Sequence, residues 1–405
     1  MTAHRGGPQA AMRAANLRRL LACLERGPLS QVELAQAAGL SEATVSNLVR
    51  LLLAERRVVL APGVRNGRRT KVVRLGGHRS AWVLGLDLGR SSIRVGVMSP
   101  TDEVWQIEGP IPPSCPYSDA LAVAGRLFER LLVERELTRA DLVSAVVSVP
   151  GLVRSAQHRA AHGLISQGFH QFAGWGSVPL SHDLSEVLDF PVRVENDANL
   201  AALAEHRLGA ARGSGDFMYV LAEAGIGGAL VLDGRVYRGA TGVAGEFGHT
   251  LVDPDGVACW CGSHGCLETL VNEEALVARL RAANPAPTDL AGVVRGALSG
   301  EAAHRAAVHA AGRAIGTVVV GVTTPLDLDL VVGGGRLAGA GNLLLDGVRA
   351  RLTEFVNVMR PYTIEVARSG LGPDGPLRGA LSVARERHVS GALAGPDDLA
   401  PARRR

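Results

Sequence analysis

Lysine is almost missing from this chain. Lys71 is the only one in 405 residues, and arginine supplies the rest of the positive charge. That bias fits a GC-rich coding sequence and excludes no function. Long apolar stretches are missing too. No run of about 18 uninterrupted apolar residues occurs, so the sequence offers no membrane-spanning helix. The opening stretch, MTAHRGGPQAAMRAANLRRL, lacks the apolar core and small-residue cleavage site of a secretory signal. The expected location is therefore cytoplasmic, with no membrane partner. Cysteine is scarce, at five residues, yet Cys259, Cys261 and Cys266 fall close together. In a cytosolic chain such a cluster points to a metal before a disulfide. With 47% hydrophobic and 20% charged residues the chain is globular and not disordered. Its length allows two or three domains.

The net charge of +4 is unevenly spread. Residues 1–80 hold 14 basic and 4 acidic side chains, so the remainder is net acidic. A basic head on an acidic body implies a polyanion partner for the head alone, although a solvated basic face would give the same count.

Motifs decide between these readings. Leu17, Leu20, Leu21 and Leu24 repeat at helical spacing until Gly27-Pro28. Ser30 with Glu33 predicts a capping box that opens a short helix, and Gly39 predicts the turn that ends it. Ser41 caps the next helix, carried by Val45, Leu48, Val49 and Leu52. Helix, glycine turn, helix is the helix-turn-helix pattern. The early turns of the last helix present Ser41, Glu42, Thr44, Ser46, Asn47 and Arg50, groups able to reach base edges and phosphates in a major groove. Val58–Leu60 and Val72–Leu75 predict two strands around a loop from Ala61 to Lys71. Arg65, Arg68, Arg69 and Lys71 make that loop a basic wing. The alternative is a three-helix protein-interaction module; order, turn and charge together favour double-stranded DNA. The segment GPLSQVELAQAAGLSEATVSNLVRLL resembles winged helix-turn-helix repressors. Gly76-Gly77-His78 marks the join, giving a DNA-binding domain over 1–78, a second domain over 79–390 and a disordered tail over 391–405.

The second domain alternates strands with glycine turns. Trp82 to Gly89 predicts a strand and turn with Ile93–Met98 as its antiparallel return. Val143–Val149 leads to Pro150-Gly151, and Val192–Glu195 leads to Asn196-Asp197 and an alanine-rich helix. Phe217–Ala222 and Gly228–Leu232 flank another glycine turn, and Leu328–Val332 enters Gly333-Gly334-Gly335. Such turns are natural anion sites, each weak alone. The metal set is more specific. Cys259, Cys261 and Cys266, with His249 ten residues before the first, offer three thiolates and an imidazole. That is a closed tetrahedral donor set for structural Zn²⁺.

Taken in order, DLGRSSIRVGV, SVPGLV, VENDANLAALAE, EAGIGGALVLDGRVYRGATGVAGEFGH, CWCGSHGCLE and VVGGGRLAG resemble the ROK family. That family joins sugar kinases with repressors that carry a DNA-binding head, and the repressors match essentially the whole chain. The resemblance implies an α/β chain: a winged helix-turn-helix followed by a two-lobed, actin-like ATPase domain with a sugar site in its cleft. It implies that Asn196, Asp197, Glu246 and Glu268 contact sugar hydroxyls and that His249 touches both sugar and zinc. Asp197 also opens a helix, so its plain reading is an N-cap.

Asp197 matches the general base of the kinases, but the phosphate side departs from them. Where the kinases have DxGGTK, this chain has Asp87-Leu88-Gly89-Arg90-Ser91-Ser92. Where they have GTGIGGG, it has Glu223-Ala224-Gly225-Ile226-Gly227-Gly228-Ala229. A carboxylate at Glu223 repels a triphosphate, so no useful ATP binding and no catalytic residue are expected, with Asp197 a vestigial base. Arg90 offers a phosphate ligand, which keeps a sugar phosphate among the effectors. The expected protein is a sugar-responsive repressor, a homodimer or dimer of dimers reading an inverted repeat. An active ROK sugar kinase with an appended head is the alternative, and a zinc-dependent scaffold the third.

Overall fold

In the computed structural model the described residues are 16–17, 19–24, 27–54, 58–65, 68–75, 81–112, 114–153, 175, 178–284, 286–355 and 364–390. The expected join at Gly76–His78 and the tail over 391–405 lie outside them.

The head forms as its capping residues dictate. Helix α1 is described over residues 19–24. The Ser30 hydroxyl accepts from the Glu33 N–H, and the Glu33 carboxylate accepts from the Ser30 N–H, starting α2 (Gln31–Ala38). Gly39 ends it in the left-handed conformation at φ 62°. Ser41 Oγ accepts from the Thr44 N–H at 3.2 Å at the start of α3 (Glu42–Ala54). Leu20, Leu24, Leu34, Val45, Leu52 and Val73 meet in one core. The hairpin has longer arms than expected. Strands β1 (Val58–Arg65) and β2 (Arg68–Leu75) pair antiparallel from Val58↔Leu75 to Arg65↔Arg68, absorbing most of the predicted loop. Pro62 and Gly63 read as loop, but both strands of a two-stranded ribbon are edges, where a missing N–H is tolerated. Leu29 adds a bridge to Val73 through two main-chain hydrogen bonds.

The body contains two five-stranded sheets of one design. The first, in order β5-β4-β3-β6-β7, uses β3 (Trp82–Leu88), β4 (Ser92–Met98), β5 (Val104–Pro110), β6 (Leu142–Val149) and β7 (Arg193–Asn196). The second, in order β10-β9-β8-β11-β12, uses β8 (Phe217–Ala222), β9 (Ile226–Leu232), β10 (Arg235–Val236), β11 (Leu330–Gly334) and β12 (Glu365–Arg368). In each, an antiparallel meander is extended by two parallel strands. Parallel strands covered on both faces read as near-continuous apolar runs, and β3, β6 and β8 do so. The hairpin turns β3–β4 and β8–β9 therefore hold equivalent places.

Helices α4 (Tyr117–Glu134) and α5 (Leu180–Leu188) cover the first sheet. The second is covered by α9 (Leu290–Leu298), α10 (Ala302–Leu326) and α11 (Asn342–Glu354). The stretch from Pro285 to Ala303, unassigned by sequence pattern, contains α9, capped by the Asp289 carboxylate on the Gly292 N–H at 2.6 Å. Among the described residues α10 is the one helix long and apolar enough to cross a membrane; half of its apolar window is buried inside the protein. It is the central helix of the second core.

Between the sheets run α6 (Asp197–Leu208) and α12 (Gly375–Ser390). Residues Ala198 to Glu205 are buried without a break, which explains the alanines: only small side chains let a helix be packed all round. Glu205 is fully buried. Its carboxylate accepts from the main-chain N–H groups of Ala210, Gly370 and Leu371 and from the Ser369 hydroxyl, tying α6 to the segment before α12. Glu205→Ala strands four donors. It is expected to cost about 3 kcal/mol or more of unfolding free energy, read from the denaturation midpoint.

Candidate effector cleft and metal centre

A cavity of about 440 Å³ opens between the two sheets. One side is supplied by the β3–β4 turn, Gly151 and the start of α6. The other is supplied by the β8–β9 turn, the single helical turn Phe247–His249, and α7 (Leu267–Val271). Asn196, Asp197, Glu246, His249 and Glu268, predicted from scattered motifs, all line it.

Each is held by its own local chemistry. Asn196, not Asp197, is the N-cap of α6: its Oδ1 accepts from the Asn199 N–H at 3.0 Å. Its amide nitrogen donates to the Gly151 carbonyl at 3.0 Å. Asp197 occupies the first helical position, and its Oδ1 accepts from the Ala198 N–H at 2.8 Å. Burial first, then the charge of Asp87, holds the Asp197 carboxyl well above the usual carboxylate range, against the pull of the Ala198 N–H. Burial, reinforced by Glu268, pushes Glu246 up to about 7. Glu268 is buried, and its Oε1 accepts from the Trp260 indole N–H at 2.9 Å. The Trp260 ring stands edge-on to His249 with centroids 4.6 Å apart.

Next to this wall, the donor atoms of His249, Cys259, Cys261 and Cys266 lie within 4.8 Å of one another. Cys261 Sγ is 3.7 Å from Cys266 Sγ, and Cys259 Sγ is 3.6 Å from His249 Nδ1. A tetrahedron with zinc-length bonds has S···S edges of about 3.8 Å and S···N edges of about 3.6 Å. The set therefore fits a metal ion, and no pair is a disulfide. His249 turns Nδ1 to the sulfurs, while its Nε2 lies 4.0 Å from the Glu246 carboxylate. Burial lowers the His249 pKa against the opposing charge of Glu268, favouring the neutral ring that ligation requires. Gly265 closes the loop at φ 58°; a Cβ there would lie 1.6 Å from the Asp253 carbonyl oxygen.

The far half of the cleft is crossed by ion pairs. Arg94, facing Asp87 across the β3–β4 hairpin, holds its carboxylate at 2.6 Å and reaches Asp374 at 2.9 Å and the Pro373 carbonyl. Glu223 in the β8–β9 turn is paired with Arg336 at 2.6 Å. Arg90 lines the same region.

A profile described as the ROK family matches residues 83–387. The chain belongs to the ROK family. A xylose repressor of Bacillus subtilis (strain 168) is 24% identical over 367 residues, covering 89% of this chain and 92% of that protein. A glucokinase of Thermotoga maritima is 30% identical over 233 residues, covering 53% of this chain and 73% of its own. A solved ROK family transcriptional regulator, described as a homolog of the E. coli MLC protein, superposes with TM-score 0.75 at 23% identity. The match spans 94% of this chain and 97% of that one, a likeness of fold. A ROK family glucokinase from Streptomyces griseus, solved with glucose and AMPPNP, gives TM-score 0.64 at 26% identity over 76% of this chain and all of that one. The actin-like, two-lobed α/β reading stands.

Within this ROK chain the exposed face of α3 carries Ser41, Glu42, Asn47 and Arg50, with Thr44 and Ser46 half-buried. Asn47 Oδ1 accepts from Arg50 at 3.4 Å. Lys71 is exposed on β2. Arg65, Arg68 and Arg69 sit at the hairpin tip, their side chains outside the described residues. Among the cleft residues that sequence reasoning passed over are Trp260, Arg94 and Arg336. Trp260 had a signal, as an aromatic between two cysteines of the candidate donor set. Arg94 had one in its register opposite Asp87.

Proposed function

We propose that this protein is a DNA-binding repressor of carbohydrate genes whose hold on DNA is set by a sugar, or a sugar derivative, in the ROK cleft. One observation carries the reading. A helix-turn-helix with a hairpin wing precedes a cleft lined by Asn196, Asp197, Glu246, His249 and Glu268, and the B. subtilis xylose repressor matches over 92% of its length. In the head, α3 enters the major groove with Ser41, Glu42, Thr44, Ser46, Asn47 and Arg50, while Arg65, Arg68, Arg69 and Lys71 follow phosphates. Domains at 1–78 and 79–390 divide these tasks. His249, Cys259, Cys261 and Cys266 hold a structural Zn²⁺ that fixes the wall carrying Glu268. Two such chains reading an inverted repeat in the cytoplasm would lose register when sugar moves the lobes.

The test is fluorescence anisotropy of the purified protein on its own upstream DNA at fixed salt, with xylose, glucose, N-acetylated hexosamines and their phosphates. One sugar should shift specific binding; no specific binding at any salt sinks the reading. Arg50→Ala should weaken operator binding about tenfold. Lys71→Ala should weaken all sequences alike and lower the salt slope by about one. The kept Asp197 and the T. maritima glucokinase favour a second reading, a ROK sugar kinase with an appended head. ATP-dependent phosphorylation of the same sugars decides it.

A further inference from the structure

The β8–β9 turn and the exit of β11 lie side by side because β8 and β11 are parallel neighbours, with Leu221 opposite Gly334. Gly335 takes φ 86°, and a Cβ there would meet the Ala222 carbonyl oxygen at 2.3 Å. No side chain can part the two turns at that point. The next residue is Arg336. Its main-chain N–H donates to Glu223 Oε1 at 2.9 Å, and its guanidinium Nε donates to Glu223 Oε2 at 2.6 Å. Behind the pair, Glu273 lies 3.8 Å from Arg336 Nη2, while the Glu273 N–H donates to the Ala224 carbonyl at 3.0 Å. Thus both oxygens of one carboxylate are gripped, one by a main-chain donor after a glycine turn and one by a guanidinium.

That grip is the chemistry of oxyanion recognition. Main-chain N–H groups beside glycine turns and arginine forks bind phosphate oxygens in the same way. We propose that Arg336 and its glycine turn form a masked phosphate site, and that Glu223 fills it with the chain's own carboxylate. The ligand class excluded is a pyrophosphate or the polyphosphate tail of a nucleotide. The inference rests on reading the cleft as kinase-derived, and its test needs neither DNA nor sugar, so its failure leaves the repressor reading standing. It differs from simple repulsion. A repelling Glu223 would leave the Arg336 main-chain N–H and Nε open; here both are already used. The site is then closed by occupancy as well as by charge, and removal of one side chain opens it.

Calorimetry on the full-length protein, with pyrophosphate or ATP as titrant, each with and without Mg²⁺, tests this. The parent should bind neither at millimolar concentration. Glu223→Gly should bind pyrophosphate at least tenfold more tightly than the parent, and a gain for ATP as well would assign the site to nucleotides. Glu223→Gln keeps the volume and an acceptor for the Arg336 N–H but loses the charge. Occupancy requires it to bind at least tenfold more weakly than Glu223→Gly. Equal binding by the two variants overturns the proposal in favour of repulsion alone. Glu223→Gly/Arg336→Ala should lose what Glu223→Gly gained; binding that survives places the anion elsewhere in the cleft and also overturns it. A cooperative melt verifies each fold, with Glu223→Ser replacing any glycine variant that lacks one. A folded Glu223→Gly or Glu223→Ser protein that binds no anion ends the idea.

Discussion

Cys266→Ser is expected to strip the metal from this protein and, with it, the response to sugar. Cys266 is fully buried and is the residue from which α7 starts, two positions before Glu268. On the opposite side of the donor set, His249 reaches from the cluster to Glu246, and Trp260, between Cys259 and Cys261, donates to Glu268. On the proposed reading, an ion held there would fix both ends of the wall that would face the sugar. Loss of a partner that orients a ligating or binding group typically costs 10–100-fold in affinity. The parent should carry about one zinc ion per chain by elemental analysis, and the serine variant almost none. The variant's affinity for the effector sugar should fall by about 10–100-fold. Operator binding without sugar should persist, because the head has its own core around Leu34, Val45 and Leu52. A metal-free variant that still answers to sugar with parental affinity would falsify the structural role of the site.

Much of this arrangement was legible in the sequence, and the gaps have physical causes. Helix starts were legible because caps are local: Ser30, Glu33 and Ser41 act within three residues. The donor set was legible because thiolates cluster along the chain. The length of the hairpin is not legible, because Pro62 and Gly63 are loop signals that an edge ribbon accepts. The helix at Leu290–Leu298 escaped because it is short and its cap, Asp289, follows a stretch rich in alanine and proline. Asp197 looked like a cap, yet the side chain that accepts from the helix end is that of Asn196, one residue earlier. What no local pattern contains is the pairing of residues far apart in the chain. Glu223 and Arg336 are 113 residues apart, and Arg94 meets Asp374 across 280. The sequence shows a carboxylate in a glycine turn; only the fold shows what that carboxylate holds.

Asp197→Asn is expected to split stability from function, weakening sugar binding while making the protein harder to unfold. The carboxyl stands at the start of α6, where the Ala198 N–H favours its charge. Burial outweighs that help, and the nearby charges of Asp87, Glu223 and Glu246 add to the penalty, so its pKa is held well above the usual range. The sign follows from proton linkage. A carboxyl whose folded pKa lies above its unfolded value binds more protons when native. Its contribution is fully favourable below the unfolded pKa and is lost as the pH rises through the folded one. At neutral pH the parent therefore carries a cost that asparagine, neutral at every pH and nearly the same shape, does not. Removing about 1 kcal/mol of it would raise the melting temperature by roughly 1–2 °C. The advantage should widen as the pH is raised from 5.5 to 8 and shrink as it is lowered. Sugar binding should move the other way. A carboxylate accepts hydroxyl protons more strongly than an amide, and hydrogen bonds to charged groups contribute roughly 1.5–3 kcal/mol, so affinity should drop about 10–100-fold. Melting curves across that pH range, with and without the sugar, read both effects at once. A variant less stable than the parent at pH 8 would show that Asp197 is held by native interactions stronger than its burial, and the cleft would then need another account of why a buried acid stands there.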